Sequence, residues 1–165
     1  MKKRILSGLC IISTVMMLFG TSLINAQAAD AGLVQVDGSF LTNEEYSEGT
    51  TEHITRGEHM MDGICSITKA GKGRIYVYAS TTANHDVDYL STVLYVDRYN
   101  EETGKWGQID FWQVEDFDTY YVATSKTLKV DSGYYYRVHA DHVAGMKDAP
   151  PYDEATSFTD GIFVN

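Results

Sequence analysis

Two histidines and an aspartate occur within four residues near the end of the chain, in the run His139-Ala140-Asp141-His142. Imidazole and carboxylate groups bind zinc when about four of them converge on one point. Successive side chains of a strand point to opposite faces, so His139 and Asp141 would share one face and His142 would lie on the other. Because the histidines diverge, the run is interpreted as an ordinary strand, with His139 exposed and His142 at the strand end, and not as a metal site.

Two acidic clusters, His85-Asp86-Val87-Asp88 and Glu115-Asp116-Phe117-Asp118, offer carboxylate oxygens. Calcium takes six to eight oxygen ligands, often from alternate residues of a loop. Neither cluster has the glycine and the terminal glutamate of an EF-hand loop, so solvated acidic loops are favoured over calcium sites. Paired carboxylates also serve glycoside hydrolysis when they lie roughly 5–9 Å apart across a cleft, but the sequence places no two of them in this way.

Nucleophile patterns are also missing from the sequence. It contains no G-x-S-x-G elbow, and Cys65 lies in the strand-like run Ile64-Cys65-Ser66-Ile67 without a recognisable histidine partner. We interpret this cysteine as a small buried residue. The sequence therefore predicts no catalytic residue, no metal ligand and no cofactor.

Aromatic residues are the more suggestive excess, with 2 tryptophans, 12 tyrosines and 6 phenylalanines. Exposed rings on a rigid sheet stack on sugars or anchor a protein partner. We predict that four rings around one hairpin bind a ligand: Tyr99, Trp106, Phe111 and Trp112. The alternative is cross-strand pairing of rings that only stabilises the sheet.

These rings belong to a chain with the pattern of an all-β protein. Between Arg74 and Ser80, Ile75, Val77 and Ala79 alternate with tyrosines, which is the period-two signature of a strand. No stretch shows an apolar stripe with helical spacing. We predict a single antiparallel β-sandwich of about seven strands, over residues 64–68, 74–80, 89–99, 106–114, 120–130, 133–143 and 157–164.

The chain divides into three parts. Residues 1–28 have the features of a signal peptide: a basic start, an apolar run over 5–24, and the small-x-small site Ala26-Gln27-Ala28. We expect cleavage after Ala28; retention as a membrane anchor is the alternative, since an apolar run of about 20 residues spans a bilayer. Residues 29–55 are polar and acidic and predict a flexible segment with one peripheral strand near Leu33 to Val36. Residues 56–165 form the predicted sandwich domain.

Charge narrows the range of partners. The formal net charge is −10, and removal of residues 1–28 takes it to −13, because that segment contains three basic residues and no acidic one. Such a surface repels phosphate backbones and anionic lipids. We therefore expect no nucleic-acid or membrane partner for the mature chain, and expect a glycan or a surface protein.

The run Tyr136-Arg137-Val138-His139-Ala140, with Gly145 and Ser157 after it, resembles the F strand and following loop of a fibronectin type III domain. Asp131-Ser132-Gly133 supplies the tight turn before it. In such domains a tyrosine packs at the corner between the E and F strands. The resemblance therefore implies that Tyr134 and Tyr136 help to wedge two sheets together.

A broader resemblance covers Arg56 to Val164. Its motifs occur in the order Arg56-Gly57, Gly73-Arg74-Ile75-Tyr76-Val77-Tyr78, Leu94-Tyr95-Val96-Asp97-Arg98-Tyr99, Gly104-Lys105-Trp106, Gly133-Tyr134-Tyr135-Tyr136-Arg137-Val138 and Thr159-Asp160-Gly161-Ile162. The chain is similar in these motifs to a family of small secreted proteins of Gram-positive bacteria that is known only as a domain of unknown function. This resemblance implies secretion and a sandwich fold, and it brings no activity or catalytic residue with it.

The sequence favours a secreted, non-catalytic β-sandwich that binds a glycan or protein at or near the cell surface. One alternative is a small secreted hydrolase, with or without a metal, using His139, Asp141 or the loop of Asp86 and Asp88. Another is a structural component of the surface or of a biofilm.

Overall fold

The computed structural model describes residues 33–51 and 57–165, and the predicted signal peptide of residues 1–28 lies outside them. Over these two ranges the chain forms eleven strands and no helix long and apolar enough to cross a membrane. The strands are β1 Gln35–Val36, β2 Ser39–Thr42, β3 Tyr46–Thr50, β4 Met60–Lys69, β5 Arg74–Val87, β6 Tyr89–Asn100, β7 Lys105–Asp116, β8 Thr119–Lys129, β9 Tyr134–Gly145, β10 Asp153–Phe158 and β11 Gly161–Val164.

The strands form two sheets that pack face to face, so the prediction of an all-β sandwich is confirmed. The larger sheet has the order β1-β2-β11-β9-β6-β7. β10 pairs with the same edge of β9 as β11 does, farther along β9. The smaller sheet has the order β3-β4-β5-β8. Neighbouring strands are antiparallel except β2 and β11, which run parallel through the pairs Leu41–Gly161 and Thr42–Ile162.

The structure has more strands than predicted near both ends of the described sequence. The predicted strand over residues 157–164 is two strands, β10 and β11, separated at Thr159 and Asp160. Residues 35–50 form three strands where the sequence predicted one peripheral strand in a flexible segment. Polar side chains weaken the periodicity there, but the backbone of β2 pairs with β11 and that of β3 pairs with β4.

Alternation along the strands builds the core between the sheets. Ile75, Val77 and Ala79 of β5 are fully buried, as their spacing predicts, and they belong to one cluster with Leu94 and Val96 of β6. A second cluster, around Met60, Val87 and Leu90, fills the other end of the sandwich. Cys65 is fully buried in the first cluster, and burial raises the pKa of its thiol to about 11. The interpretation of this cysteine as a small core residue is confirmed.

The two tyrosines that precede and follow Tyr135 have different positions. Tyr136 is 1% exposed, and its hydroxyl donates a hydrogen bond to the Asp131 carbonyl over 2.9 Å, so it packs between the sheets as predicted. Tyr134 is 40% exposed, and the Arg98 guanidinium lies 4.8 Å from the centre of its ring. The prediction that Tyr134 also wedges the sheets together is wrong: alternation places it on the face of Tyr136, but it is the first residue of β9 and lies at the edge of the sandwich, opposite Val164, where its ring stays exposed.

His142 lies inside the sandwich and joins the two sheets. It is fully buried, with Nδ1 2.8 Å from Thr81 Oγ1 of the smaller sheet and Nε2 2.8 Å from Ser157 Oγ. Burial lowers the pKa of this imidazole to about 4, so it is neutral at pH 7. A neutral ring has one donor and one acceptor nitrogen, which the two hydroxyls satisfy. His142 is therefore a structural residue inside β9, with three strand residues after it, and not at the strand end.

Candidate ligand-binding face

The outer face of the larger sheet carries a row of four aromatic rings. Tyr95 lies directly opposite Phe111 on one side and His139 on the other, and His139 lies opposite Phe158. Ring centres along the row are 5.9, 4.5 and 5.3 Å apart, and neighbouring planes differ by 14°, 6° and 17°. These spacings follow from the separation of about 4.8 Å between paired strands. We call Phe111, Tyr95, His139 and Phe158 the ring ladder.

The two ends of the ring ladder are its most accessible parts. Phe111 on β7 is 59% exposed, and Phe158 on β10 is 47% exposed. Between them the His139 side chain keeps only 21% of its surface exposed, because Tyr95 and Phe158 lie on either side of it. The prediction of an exposed His139 is therefore wrong, although its separation from His142 onto the opposite face is confirmed.

A buried charged group lies on the same face as the ring ladder, two residues farther along β6. Asp97 Oδ2 is 3.1 Å from Arg137 Nε and 3.1 Å from His139 Nδ1, and the side chains of Asp97 and Arg137 are 5% and 4% exposed. Burial alone would raise the pKa of Asp97, but the contacts with His139 and Arg137 outweigh it and hold this pKa below its usual range. Asp97 therefore stays ionised at neutral pH and fixes the orientation of His139.

The β1–β2 turn completes the shell around Arg137. Asp37 and Gly38 have positive φ angles of 51° and 82°, the conformation of a tight hairpin turn that aspartate and glycine tolerate. Arg137 Nη1 donates to the Asp37 carbonyl over 2.9 Å and to Ser39 Oγ over 3.0 Å, and Nη2 is 3.1 Å from Asp37 Oδ2. The guanidinium thus has a carboxylate on each side. This part of the site comes from the N-terminal segment that the sequence assigned to a flexible region.

A second aromatic row lies on the far side of the charged group. Trp106, Tyr99, Tyr135 and Phe163 follow one another across four strands, with ring centres 5.4, 6.4 and 5.1 Å apart. Their planes differ by 55°, 78° and 60°, so these rings are tilted and not stacked. We call these four residues the tilted row. The ladder face comprises the ring ladder, the charged group and the tilted row.

Trp106 covers the charged group. The Arg137 guanidinium carbon lies 4.6 Å from the centre of its ring, and the indole Nε1 donates to the Val36 carbonyl over 3.0 Å. The ring occupies the space above Gly161, where a Cβ atom would come within 2.6 Å of Trp106 Cη2. Any larger residue at position 161 would therefore displace the indole.

A groove of about 600 Å³ opens beside Trp106 on the ladder face. Its lining mixes an aromatic wall with polar and charged groups: Val36, Asp37, Asp97, Gly104, Lys105, Trp106, Gln108 and Arg137. Donors and acceptors next to an aromatic wall are the usual composition of a site for a polar small molecule. The groove and the exposed end of the ring ladder lie along the same strand, β7.

The structure unites three of the four predicted binding residues and separates the fourth. Tyr99, Trp106 and Phe111 lie on the ladder face. Trp112 points into the sandwich, where it packs against the core and its Nε1 donates to Thr124 Oγ1 over 2.8 Å. A bulge explains the difference: Val96 pairs with Asp110 and Asp97 pairs with Gln108, so Ile109 is an extra residue that reverses the alternation of β7.

Sequence reasoning missed Tyr95, Asp97, Arg137, His139 and Phe158 as members of one surface. The signal for most of them was present, because alternate residues of β6 and β9 share a face. The register that brings Phe158 opposite His139 has no signature in the sequence, because it depends on where the chain turns back after residue 145. The sequence therefore indicated the residue types of the face and not their assembly.

The acidic clusters and the remaining polar residues form no larger constellation. Among residues 33–51 and 57–165, no group of three or more histidine, cysteine, aspartate or glutamate side chains is placed to hold a metal ion. The prediction that both clusters are loops is wrong in part, because residues 85–87 end β5 and residues 115–116 end β7. Asp88 accepts a hydrogen bond from the Lys147 amide, beyond the end of β9, and Asp116 accepts one from the neighbouring Phe117 amide. Comparisons with known protein families, characterised proteins and solved structures found no match for this chain. The resemblance to a secreted Gram-positive family accordingly stays a prediction.

Proposed function

We propose that this chain is a secreted, non-catalytic β-sandwich that binds a neutral glycan at or near the cell surface through its ladder face. The observation that carries the proposal is the ring ladder, four near-parallel rings fixed across four strands with exposed rings at both ends. Secretion rests on the composition of residues 1–28.

Rigidity favours the ladder face as a binding surface. The ring of His139 is held by Asp97, and Asp97 is held by Arg137, so the central rings are fixed before any ligand arrives. Ordering side chains on binding costs about 0.5–1.5 kcal/mol for each flexible side chain. A surface whose rings are already ordered avoids most of this cost.

The chemistry next to the ring ladder favours a sugar over a purely apolar ligand. Sugars present apolar C–H groups on their ring faces and hydroxyls around the rim, so they need aromatic surface together with donors and acceptors. Phe111 and Trp106 supply the first, and Gln108 and Lys105 of the groove supply the second. The acidic charge of the chain disfavours polyanionic glycans.

The proposed absence of catalysis follows from how the polar groups of the face are used. Asp97 contacts Arg137 and His139 through one oxygen, and its pKa lies below the usual range, which is unsuitable for a general acid at neutral pH. Arg137 is engaged by Asp37, Ser39 and Asp97. These groups hold the face in place.

The proposal is tested on an array of neutral and acidic glycans, with a set of cell-surface proteins probed in parallel. We expect the wild-type protein to bind neutral glycans, and expect the double variant Phe111→Ala/Phe158→Ala to bind them at least about tenfold more weakly, or about 1.4 kcal/mol. Both side chains are exposed, so this variant should fold normally. Affinities are measured by isothermal titration once the array identifies a glycan.

The matched control is Tyr76→Ala, which removes a ring of 39% exposure from the outer face of the smaller sheet. It should bind the glycan as tightly as the wild type does. Equal binding by Phe111→Ala/Phe158→Ala and the wild type would contradict the site, and no binding to any neutral glycan would contradict the ligand class. A surface protein bound by the wild type and lost in the double variant would replace the glycan with a protein partner.

A further inference from the structure

A pair of histidines lies away from the ladder face, at the end of the smaller sheet. His59 immediately precedes β4 and His85 belongs to β5, and His59 Nδ1 is 3.3 Å from His85 Nε2. The two rings are nearly perpendicular, with an interplanar angle of 80°, so these nitrogens approach without stacking of the ring faces. This pair is not used by the proposed glycan site.

We propose that His59 and His85 form a two-imidazole site for a borderline divalent transition-metal ion, such as Cu²⁺ or Zn²⁺. Zinc–nitrogen bonds of about 2.0–2.1 Å in tetrahedral geometry place two ligand nitrogens about 3.3–3.4 Å apart. The observed separation of 3.3 Å matches that edge.

The backbone holds both histidines at this separation. The Asn84 amide donates to the His59 carbonyl over 2.9 Å, and the Asn84 side chain donates to the Glu58 carbonyl over 3.0 Å. Asp153 Oδ2 accepts hydrogen bonds from the amides of His59 and Met60, over 2.6 and 2.9 Å. His59 is therefore fixed from two sides, and Asn84, the residue before His85, connects the two segments that carry the histidines.

Accessibility and charge also suit a cation. His59 is 5% exposed, whereas His85 is exposed, so an ion that binds His85 first can then bind the fixed ring of His59. The adjoining Asp153 carboxylate and the net charge of −10 favour a cation over an anion. Neutral imidazole prefers Cu²⁺, Zn²⁺ and Ni²⁺ over Ca²⁺ and Mg²⁺, and Cu²⁺ binds most tightly in this series.

The described residues supply two ligands, so water or a ligand group fills the remaining positions. Residues 33–51 and 57–165 place no third histidine, cysteine or carboxylate with this pair. We therefore expect moderate affinity, with Cu²⁺ tighter than Zn²⁺. The metal ion keeps open coordination positions, so a donor atom of a ligand can bind to it at this end of the sandwich.

The test is a titration of the purified protein with Cu²⁺ in a non-chelating buffer, followed by electron paramagnetic resonance. One Cu²⁺ with hyperfine splitting from two imidazole nitrogens is expected for the wild type. His85→Ala, at an exposed position, should weaken binding at least about tenfold and remove one nitrogen from the spectrum. His59→Ala should do the same, and circular dichroism checks that it folds.

Asp86→Asn is the matched control, because it removes a carboxylate next to His85 and leaves both imidazoles. Its Cu²⁺ affinity and nitrogen count should equal those of the wild type, and excess Ca²⁺ should not displace the copper. Unchanged copper binding by His85→Ala would overturn the proposal, as would displacement by Ca²⁺. Failure of the wild type to bind Cu²⁺ or Zn²⁺ at a large excess would also overturn it, and the pair would then be joined by an N–H···N hydrogen bond.

Discussion

The two outer faces of the sandwich are built from different chemistry. On the smaller sheet, two rungs that cross β4, β5 and β8 carry a hydroxyl at every position: Thr68, Tyr76 and Thr127, then Ser66, Tyr78 and Ser125. We call these six residues the hydroxyl face. The ladder face instead has rings beside a buried ion pair of Asp97 and Arg137, and the ladder residue His139 is also in contact with Asp97.

The difference lies in how strongly the residues of each face depend on one another. A hydroxyl at the surface exchanges its hydrogen bonds with water, so each residue of the hydroxyl face except the buried Ser66 contributes nearly independently. Asp97 and Arg137 are removed from water and are stable only as partners. A surface of mutually dependent buried charges and ordered rings is a stronger candidate for a binding site than a surface of mostly solvated hydroxyls.

Arg137→Met should give the largest effect, because it leaves the buried Asp97 with only His139 as a partner. We expect the free energy of unfolding to fall by about 3–5 kcal/mol, measured by urea denaturation at pH 7. Thr127→Val on the hydroxyl face is the control and should change this free energy by at most about 0.5 kcal/mol. Equal losses in the two variants would remove the contrast between the faces.

Replacement of His142 tests whether the two sheets unfold together, since this residue connects them. Unfolded histidine has a pKa of about 6.5, whereas burial lowers the pKa of His142 to about 4 in the folded protein. The unfolded chain therefore binds the proton first, and stability falls as the pH decreases from 6.5 towards 4, by up to about 3 kcal/mol from this group.

The measurement compares the pH dependence of unfolding for the wild type and for His142→Gln. The variant should show a shallower loss between pH 6.5 and 4, because glutamine does not titrate, and other groups contribute equally to both proteins. Tryptophan fluorescence and far-UV circular dichroism should give coincident transitions if the sheets unfold together. Parallel slopes for the two proteins would show that His142 is not the group responsible.

Tyr78→Phe should give the smallest effect. The hydroxyls of Tyr78 and Tyr121 are 2.8 Å apart at the edge of the hydroxyl face, and this contact is the main reason that the pKa of Tyr121 is raised. Removal of one exposed hydrogen bond should lower the free energy of unfolding by about 0.5–1 kcal/mol, measured by urea denaturation. It should leave glycan binding at the ladder face unchanged; a loss comparable to that of Arg137→Met would mean that the hydroxyl face is also an interdependent network.

The core of both sheets could be predicted from alternation, and the assembly of the ladder face could not. Ile75, Val77 and Ala79 point inward as their spacing requires. By contrast, Trp106 and Trp112 would share a face on a regular strand, and only the bulge at Ile109 separates them. Phe111 and Phe158 are brought into one row by strand register, which is set by tertiary pairing and leaves no local pattern.

The N-terminal strands show the same limit in another form. The polar residues of β2 give it no strand-like hydrophobic pattern. The strand is stabilised by partners about 120 positions away: Ser39 Oγ donates to the Thr159 carbonyl over 2.7 Å, and the Phe40 amide donates to Asp160 Oδ1 over 2.8 Å. The Asp37-Gly38 pair is typical of a hairpin turn. Together with the strand predicted near Leu33 to Val36, it is a local sign that this segment is structured.

The parallel pairing of β2 with β11 also determines the order in which the molecule can be assembled. The partner of β2 is the last strand of the chain, and the partners of Arg137 include the turn that precedes β2. Contacts between such distant positions form slowly, since a long loop must close before any of them is made. A chain that emerges from its first residue onward therefore holds the β1–β2 hairpin without its partner strand β11 until residues 159–164 have followed. We therefore expect the ladder face to be the last part of the molecule to complete its folding.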